Sequence, residues 1–396
     1  MTNANIISAA FMVWGRALYK KTSLSQVAAE LGVTKTALYR HFRSKRDLVE
    51  GMMGYFCDDF ARSIRSGYEE AQGTAGAAGR CRIMARTIGE YFCREPEKFV
   101  FFLVRIHGNG DLAEQLRSRG IDISRLEAEG GEGRIDPVLF RRILETVCFW
   151  VAHFHRLRWV RGQLPESAEI EAELDRQERL IMGGLGLRPA APDFAVLEER
   201  CAAVLPGISE HDGLLQAVAE AVAEAGPWNA SMDMVARRSG LSKSGLYAHF
   251  RSRQDMLARL FITEMEQLLA YTELCRGFSS IPEEQVYLVI AAIAGYLRSR
   301  PQIMTALDWV RVRNLDLGIK QEPQLRRLLA GIAFENTGMA VQDDPRMESV
   351  AQWILFLVVN TTVQLFRFDP PGGGLSPESF RKMYRFVASG LEGCNF

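Results

Sequence analysis

The stretch Leu31–Val49, LGVTKTALYRHFRSKRDLV, decides the reading of this chain, because most of it returns 208 residues later as Ser239–Leu257, SGLSKSGLYAHFRSRQDML. Between Thr34–Asp47 and Ser242–Asp255 eight of fourteen positions are identical: Lys, Leu, Tyr, His, Phe, Arg, Ser and Asp. Thr34/Ser242, Thr36/Ser244 and Lys45/Arg253 are conservative exchanges. A segment recurring once at so wide a spacing marks a duplicated domain rather than a short-period solenoid.

Working outward from the first copy, apolar residues at 6, 7, 10, 11, 14 and 18 predict a helix over 5–19. Ser23 or Ser25 caps a short helix at 26–31, Gly32 makes a turn, and Thr34 caps a second short helix through His41. Ser44 opens a longer helix over about 45–68. Two short helices joined by a tight glycine turn describe a helix-turn-helix. Val27, Leu31, Leu38 and Phe42 are spaced to fill its small core. Lys35, Thr36, Tyr39 and Arg40 then fall on the outer face of the second helix, within reach of a major groove.

Charge supports this locally. The whole chain of 396 residues is formally neutral, so it exerts no long-range pull on nucleic acid. Between Arg16 and Glu50, however, eight basic residues face three acidic ones, a local charge of +5. Between Glu224 and Ala258 five face three, giving +2. Both are positive islands, and the first is the stronger.

Downstream of the first copy, helical patterns run over about 80–94, 97–107, 111–128, 137–161 and 167–184. No stretch alternates at period two, so the fold class is all-α. GGLGLRPAAPD at 183–193 reads as a linker, with a short helix over 194–205 packed along the way. The pattern then restarts with a helix near 212–225, a break at Gly226–Pro227 and a cap at Ser231. Helices near 283–299, 301–315, 322–335, 346–368 and 376–392 complete the second half. The expected domains are two DNA-binding segments at 1–70 and 211–275, two helical regulatory or dimerisation segments at 80–187 and 281–396, and a linker at 188–210.

Composition bounds the remaining classes. Hydrophobic residues make up 47% and charged residues 24%, as in an ordinary globular protein. Seven cysteines without a C-x-x-C pair, most within apolar helical patterns, read as reduced buried thiols and favour the cytosol. The first residues lack the basic leader and small-residue cleavage site of a signal peptide. The most apolar run, 353–359, is too short for the ~20 residues of a membrane span. The expectation is a soluble cytoplasmic protein without cofactor or metal.

The two quoted stretches resemble the DNA-binding signature of the TetR (tetracycline repressor-like) transcriptional regulators. The signature spans about 50 residues per copy, and the all-helical layout of each half also resembles the family. The resemblance implies that Thr34, Lys35, Thr36 and Ala37 lie at the groove, and that Tyr39, His41 and Lys45 meet backbone phosphates. In the second copy Ser242, Lys243, Ser244 and Gly245 take the first role, and Tyr247, His249 and Arg253 the second. Ser23 and Ser231 would anchor phosphate at the start of the preceding helix. Family members normally pair as homodimers, so two units in one chain imply a monomeric pseudo-dimer on double-stranded operator DNA, with further dimerisation left open. They also imply a small, mainly apolar effector. A different role for the second copy, dimerisation or protein contact without DNA, stays open.

Candidates elsewhere are weaker. Phe102, Arg105 and His107 follow an aromatic run and suit either a ligand cavity or a buried helix. Trp150, Trp309, Arg313 and Asn360 are further candidate ligand contacts, Asn360 equally suiting a helix–helix interface. His153 and His155 stand two apart on a helix, which is poor geometry for one metal. The glycine clusters 130–133 and 372–374 follow no strand and read as loops, and no nucleophile elbow or Walker-type loop is present, which weighs against an enzyme.

Overall fold

The computed structural model describes residues 2–17, 19, 22–106, 112–126, 137–160, 162–163, 165–187, 192–208, 213–300, 345–368 and 376–393. Among them every regular element is a helix and there is no strand. The helices expected near 301–315 and 322–335, together with His107, Trp309, Arg313 and Cys394, lie outside the described residues.

Local chemistry places the helix starts. Thr2, Ser23, Thr34, Ser44, Asp193, Ser231, Ser242 and Ser252 each accept a hydrogen bond from the backbone N–H three residues on, which satisfies a donor that the first turn leaves orphaned. Pro96 and Pro282 sit where a missing N–H costs nothing, at the first helical positions of their elements.

The described chain divides into two compact units: Met1–Pro137 with Val147–Glu178, and Val138–Thr146 with Arg179–Asn395. In the first, helices α1 (Asn3–Arg16), α2 (Leu24–Glu30), α3 (Lys35–Tyr39) and α4 (Lys45–Gly73) come first. Ile6, Phe11, Trp14, Val27, Leu38, Leu48 and Met52, almost wholly buried, form their core. The unit continues with α5 (Ala77–Arg94), α6 (Pro96–Phe101), α7 (Leu112–Arg117) and parts of α8 (Pro137–Val160) and α9 (Ser167–Gly183).

Phe56, Phe60, Tyr91, Phe92, Phe99, Phe101 and Phe102 stack into one aromatic core where α4, α5 and α6 meet. Lys98, nearly buried there, pairs with Asp59 at 2.7 Å and Glu95 at 2.9 Å, and Tyr91 donates to the same Asp59. Arg86 ties α5 to α9 through Glu171, Asp175 and Glu178. Two expected helices are shorter than the periodicity suggests. The one over 97–107 widens into a π-turn at Phe102–Ile106, and that over 111–128 stops before Gly120, whose φ of 78° no helix accommodates, leaving a 3₁₀ turn at Ile123–Leu126.

The second unit holds α10 (Phe194–Val204), α11 (Gly213–Asn229), α12 (Met232–Ser239), α13 (Lys243–His249), α14 (Arg253–Arg276), α15 (Pro282–Ser299), α16 (Pro345–Phe368) and α17 (Pro377–Gly393). The break expected at Gly226–Pro227 does not occur, and α11 runs on to Asn229. A proline in a final turn forfeits one hydrogen bond, and its φ already suits a helix. Tyr287, Val289, Ile290, Ile293, Tyr296 and Leu297 bury α15 nearly all round, the mark of a central helix. Phe194 of α10 packs edge-on against Tyr287 and Tyr384, while Arg381 lies over its ring and pairs with Glu198.

Part of the expected linker is docked. Leu185 and Leu187 donate backbone hydrogen bonds to the carbonyls of Val387 and Ala388 at 2.8 and 3.0 Å. Gly184 and Gly390, at φ 58° and 63°, make this approach possible, since a Cβ on Gly184 would stand 2.5 Å from the Gly390 nitrogen. Asn360 of α16 likewise donates to Thr146 at 2.8 Å, inside this same unit.

Candidate nucleic-acid interface

In the first unit Leu38 of α3 and Val27 of α2 are both fully buried, so α3 has one fixed orientation. Lys35, Thr36, Tyr39 and Arg40 are exposed on its outer side, while Ala37 is half-buried. The Thr34 hydroxyl accepts from the Ala37 N–H at 3.2 Å and so starts the helix rather than hanging free. The Lys35 ammonium lies 5.6 Å from the Tyr39 ring centre, a cation–π contact that keeps both on the exposed face.

The predicted phosphate group is held from behind. His41 Nδ1 stands 2.8 Å from Asn3 Oδ1 at the start of α1. Lys45 lies 5.8 Å from the Trp14 ring, its pKa held down by partial burial and then by nearby Arg105. Ser23 forms a capping box with Gln26, and its carbonyl accepts from Trp14 Nε1 at 3.3 Å. Sequence reasoning did not find Asn3 and Trp14 behind these groups, nor Arg105 as the like charge beside Lys45, because only the tertiary fold brings them there.

The second unit repeats the scaffold. Ser242 caps α13 by accepting from the Gly245 N–H at 3.0 Å, Leu246 is fully buried, and Lys243, Ser244, Tyr247 and His249 are exposed. Ser231 caps α12, the helix before α13, as Ser23 caps α2. At the foot of each unit an identical lock closes the loop. Asp47 accepts from the Arg43 N–H and Asp255 from the Arg251 N–H, both at 2.8 Å, while Ser44 and Ser252 accept from the respective aspartate N–H at 3.1 Å.

The cations differ. Lys243 pairs with Asp233 at 3.0 Å, and that hydrogen bond raises its pKa. Arg253, half-buried, donates to the Ala230 carbonyl at 2.6 Å, and burial lowers its pKa. The sequence did carry a signal for the first difference, since Ser25 stands where Asp233 stands in the second copy.

The candidate ligand contacts are scattered. Phe102 belongs to the aromatic core, packed on Phe56 and Phe92. Arg105 lies 6.0 Å from the Tyr19 ring, and Trp150 is buried on α8. Asn360 is in the second unit, bonded to Thr146. Among the described residues no group of three or more His, Cys, Asp or Glu is placed to hold a metal, and no helix is long and apolar enough to cross a membrane.

Residues 6–52 and 214–260 each match the family model described as bacterial regulatory proteins, tetR family. The two matches cover α1 to the start of α4, and α11 to the start of α14, the elements that position the exposed cations above. The chain carries two tandem copies of the helix-turn-helix DNA-binding unit of the tetR-family transcriptional regulators.

Proposed function

We propose that the chain is a ligand-responsive repressor, not an enzyme, that works in the cytoplasm as an intramolecular pseudo-dimer. Its DNA-binding segments, 1–70 and 211–275, read one operator, while 80–187 and 281–396 regulate their separation around a linker at 188–210. The observation that carries this reading is the pair of outward faces on α3 and α13, each fixed by a fully buried leucine and a serine or threonine cap. The groove contacts would be Thr34, Lys35, Thr36, Ala37 and Arg40 in one copy, and Ser242, Lys243, Ser244 and Gly245 in the other. Phosphate contacts would be Ser23, Tyr39, His41 and Lys45, then Ser231, Tyr247, His249 and Arg253.

Two consequences follow. Ala37/Gly245 and Arg40/Ala248 differ, so the preferred operator is an imperfect palindrome. A small, mainly apolar effector in one or both regulatory segments, with Phe102, Arg105, His107, Trp150, Trp309, Arg313 and Asn360 as candidate contacts, would release DNA only by binding the two shapes of the protein unequally.

Site selection followed by light scattering of the complex tests the proposal. One chain on an asymmetric site supports it, and two chains sharing a perfect palindrome overturn it. A second reading, in which only the first copy holds DNA, is favoured by the engagement of Lys243 and Arg253 within the protein. Charge reversal of Lys243 separates the readings, because it weakens operator binding only if the second copy touches DNA.

A further inference from the structure

A cavity of about 400 Å³ lies in the second unit between α10, α14, α15 and α17. Cys201 and Tyr271 form part of its wall, and exposed Arg298, Ser299 and Pro377 form its rim. Gly295 opens it, since a Cβ at that position would meet nothing within 4 Å. The sulfur of Cys201 on α10 is hydrogen-bonded to that of Cys275 in the last turn of α14. Tyr271, one turn earlier, reaches both the Cys201 carbonyl, at 2.8 Å, and the Cys275 sulfur.

Within this pair the acidities of the two sulfurs are pushed apart: Cys201 is raised well above its ordinary value, first by its hydrogen bond to Cys275 and then by burial. Burial pushes Cys81 and Cys93 up, as it does any thiol in apolar surroundings. Cys275 is instead held below its ordinary value, first by the hydrogen bond from Cys201 and then, against the cost of burial, by that from Tyr271. The hydrogen bond from Cys201 therefore favours the thiolate of Cys275, and a thiolate is the form that attacks an oxidant.

We propose that Cys201 and Cys275 are an oxidisable dithiol, which takes a small hydroperoxide from the cavity and closes to a disulfide that clamps α10 to α14. The steps balance. Cys275 gives its proton to solvent and its thiolate attacks the outer peroxide oxygen; the O–O bond breaks, and an alcohol or water leaves with the proton of the hydrogen-bonded Cys201 thiol. The Cys201 sulfur, now a thiolate, then attacks the Cys275 sulfenic acid; the S–O bond breaks, the S–S bond forms, and the displaced hydroxide takes up the proton first released from Cys275 and leaves as water. The peroxide is reduced by two electrons and the two thiols are oxidised by two. The clamp falls on the helix whose other end bears Ser252, Arg253 and Asp255 of the second DNA-facing unit.

The test treats the full chain with graded hydrogen peroxide, denatures it, alkylates the remaining thiols and maps the peptides by mass. The expected result is joint loss of alkylation at Cys201 and Cys275 before any other cysteine, a linked 201–275 peptide, and reversal by dithiothreitol. Gly295→Phe, which fills the cavity without touching either sulfur, should slow the reaction roughly fivefold or more, because oxidation follows access as well as thiolate character. Cys201→Ser should give no linked peptide. The proposal is overturned if Cys201 and Cys275 stay alkylatable while other cysteines oxidise, or if Cys275 advances to sulfinic acid with Cys201 intact. An unchanged rate in a folded Gly295→Phe protein would equally overturn the route through the cavity.

Discussion

The two DNA-facing units share a scaffold to within a tenth of an ångström in their locking hydrogen bonds, yet they present different charge. Asp47 and Asp255 make the same bond to an arginine N–H at 2.8 Å, whereas Lys35 stands over Tyr39 and Lys243 is neutralised by Asp233. Lys45 is exposed, and its counterpart Arg253 is half-buried on a backbone carbonyl. Duplication preserved what makes the unit fold and let the cations on and beside its outer face diverge.

The strongest way to break this contrast is charge reversal. Lys35→Glu with Arg40→Glu should weaken operator binding by ~100-fold, about 2.7 kcal/mol, against less than about tenfold for Lys243→Glu. Equal losses in fluorescence anisotropy at fixed salt would show that the two copies carry the same weight.

The halves should also separate by pH. Glu97 in the first unit is raised from 4.5 to about 7, chiefly by burial, and it shares a hydrogen bond with Glu95. An acid with a raised folded value favours the fold when protonated. Its contribution is therefore full below about 4.5 and is lost as pH rises through 7. Glu97→Gln should flatten the fall in the first unit's unfolding temperature between pH 5 and 8, an effect of about 2 kcal/mol. A slope unchanged in that variant would remove Glu97 as its cause.

Smaller effects sharpen the comparison. Asp47→Ala and Asp255→Ala should each destabilise their own unit by about 1 kcal/mol, and equally, because the lock is the same in both. Unequal losses in urea unfolding would show that the scaffolds have drifted as well. Asp233→Asn should free Lys243 and tighten operator binding by roughly two- to fivefold, since it also removes a negative charge beside the phosphates. Weaker binding would mean that the ion pair positions Lys243 for its contact.

What could be read from the sequence was local. The caps at Ser23, Thr34, Ser44, Ser231, Ser242 and Ser252, the turns at Gly32 and Gly240, and the burial of Leu38 and Leu246 all depend on neighbours within a few residues. The exposed face of α3 followed from the same spacing. Less legible was anything made by distant segments. The support of His41 by Asn3 spans 38 residues and the bond of Asn360 to Thr146 spans 214, and no periodicity reports such pairings. The π-turn at Phe102–Ile106 was hidden because its residues keep an apolar helical pattern. Cys201 and Cys275 meet only once α10 packs beside α14, so spacing alone left them as two isolated thiols.

Residues 138–146 and 179–187 belong by sequence to the first half, yet Thr146 satisfies Asn360 and Leu185 and Leu187 are stitched to the backbone at Val387 and Ala388. A gene cut at the repeat boundary would therefore not release two self-sufficient proteins. The downstream fragment would lose partners for a buried amide and for two carbonyls, and the upstream one would end in an unpaired apolar tail. Expressed together, the pieces should seek each other out and rebuild the missing part in trans. The covalent join spares the protein that search and keeps its two unlike helix-turn-helix units at a ratio of one to one.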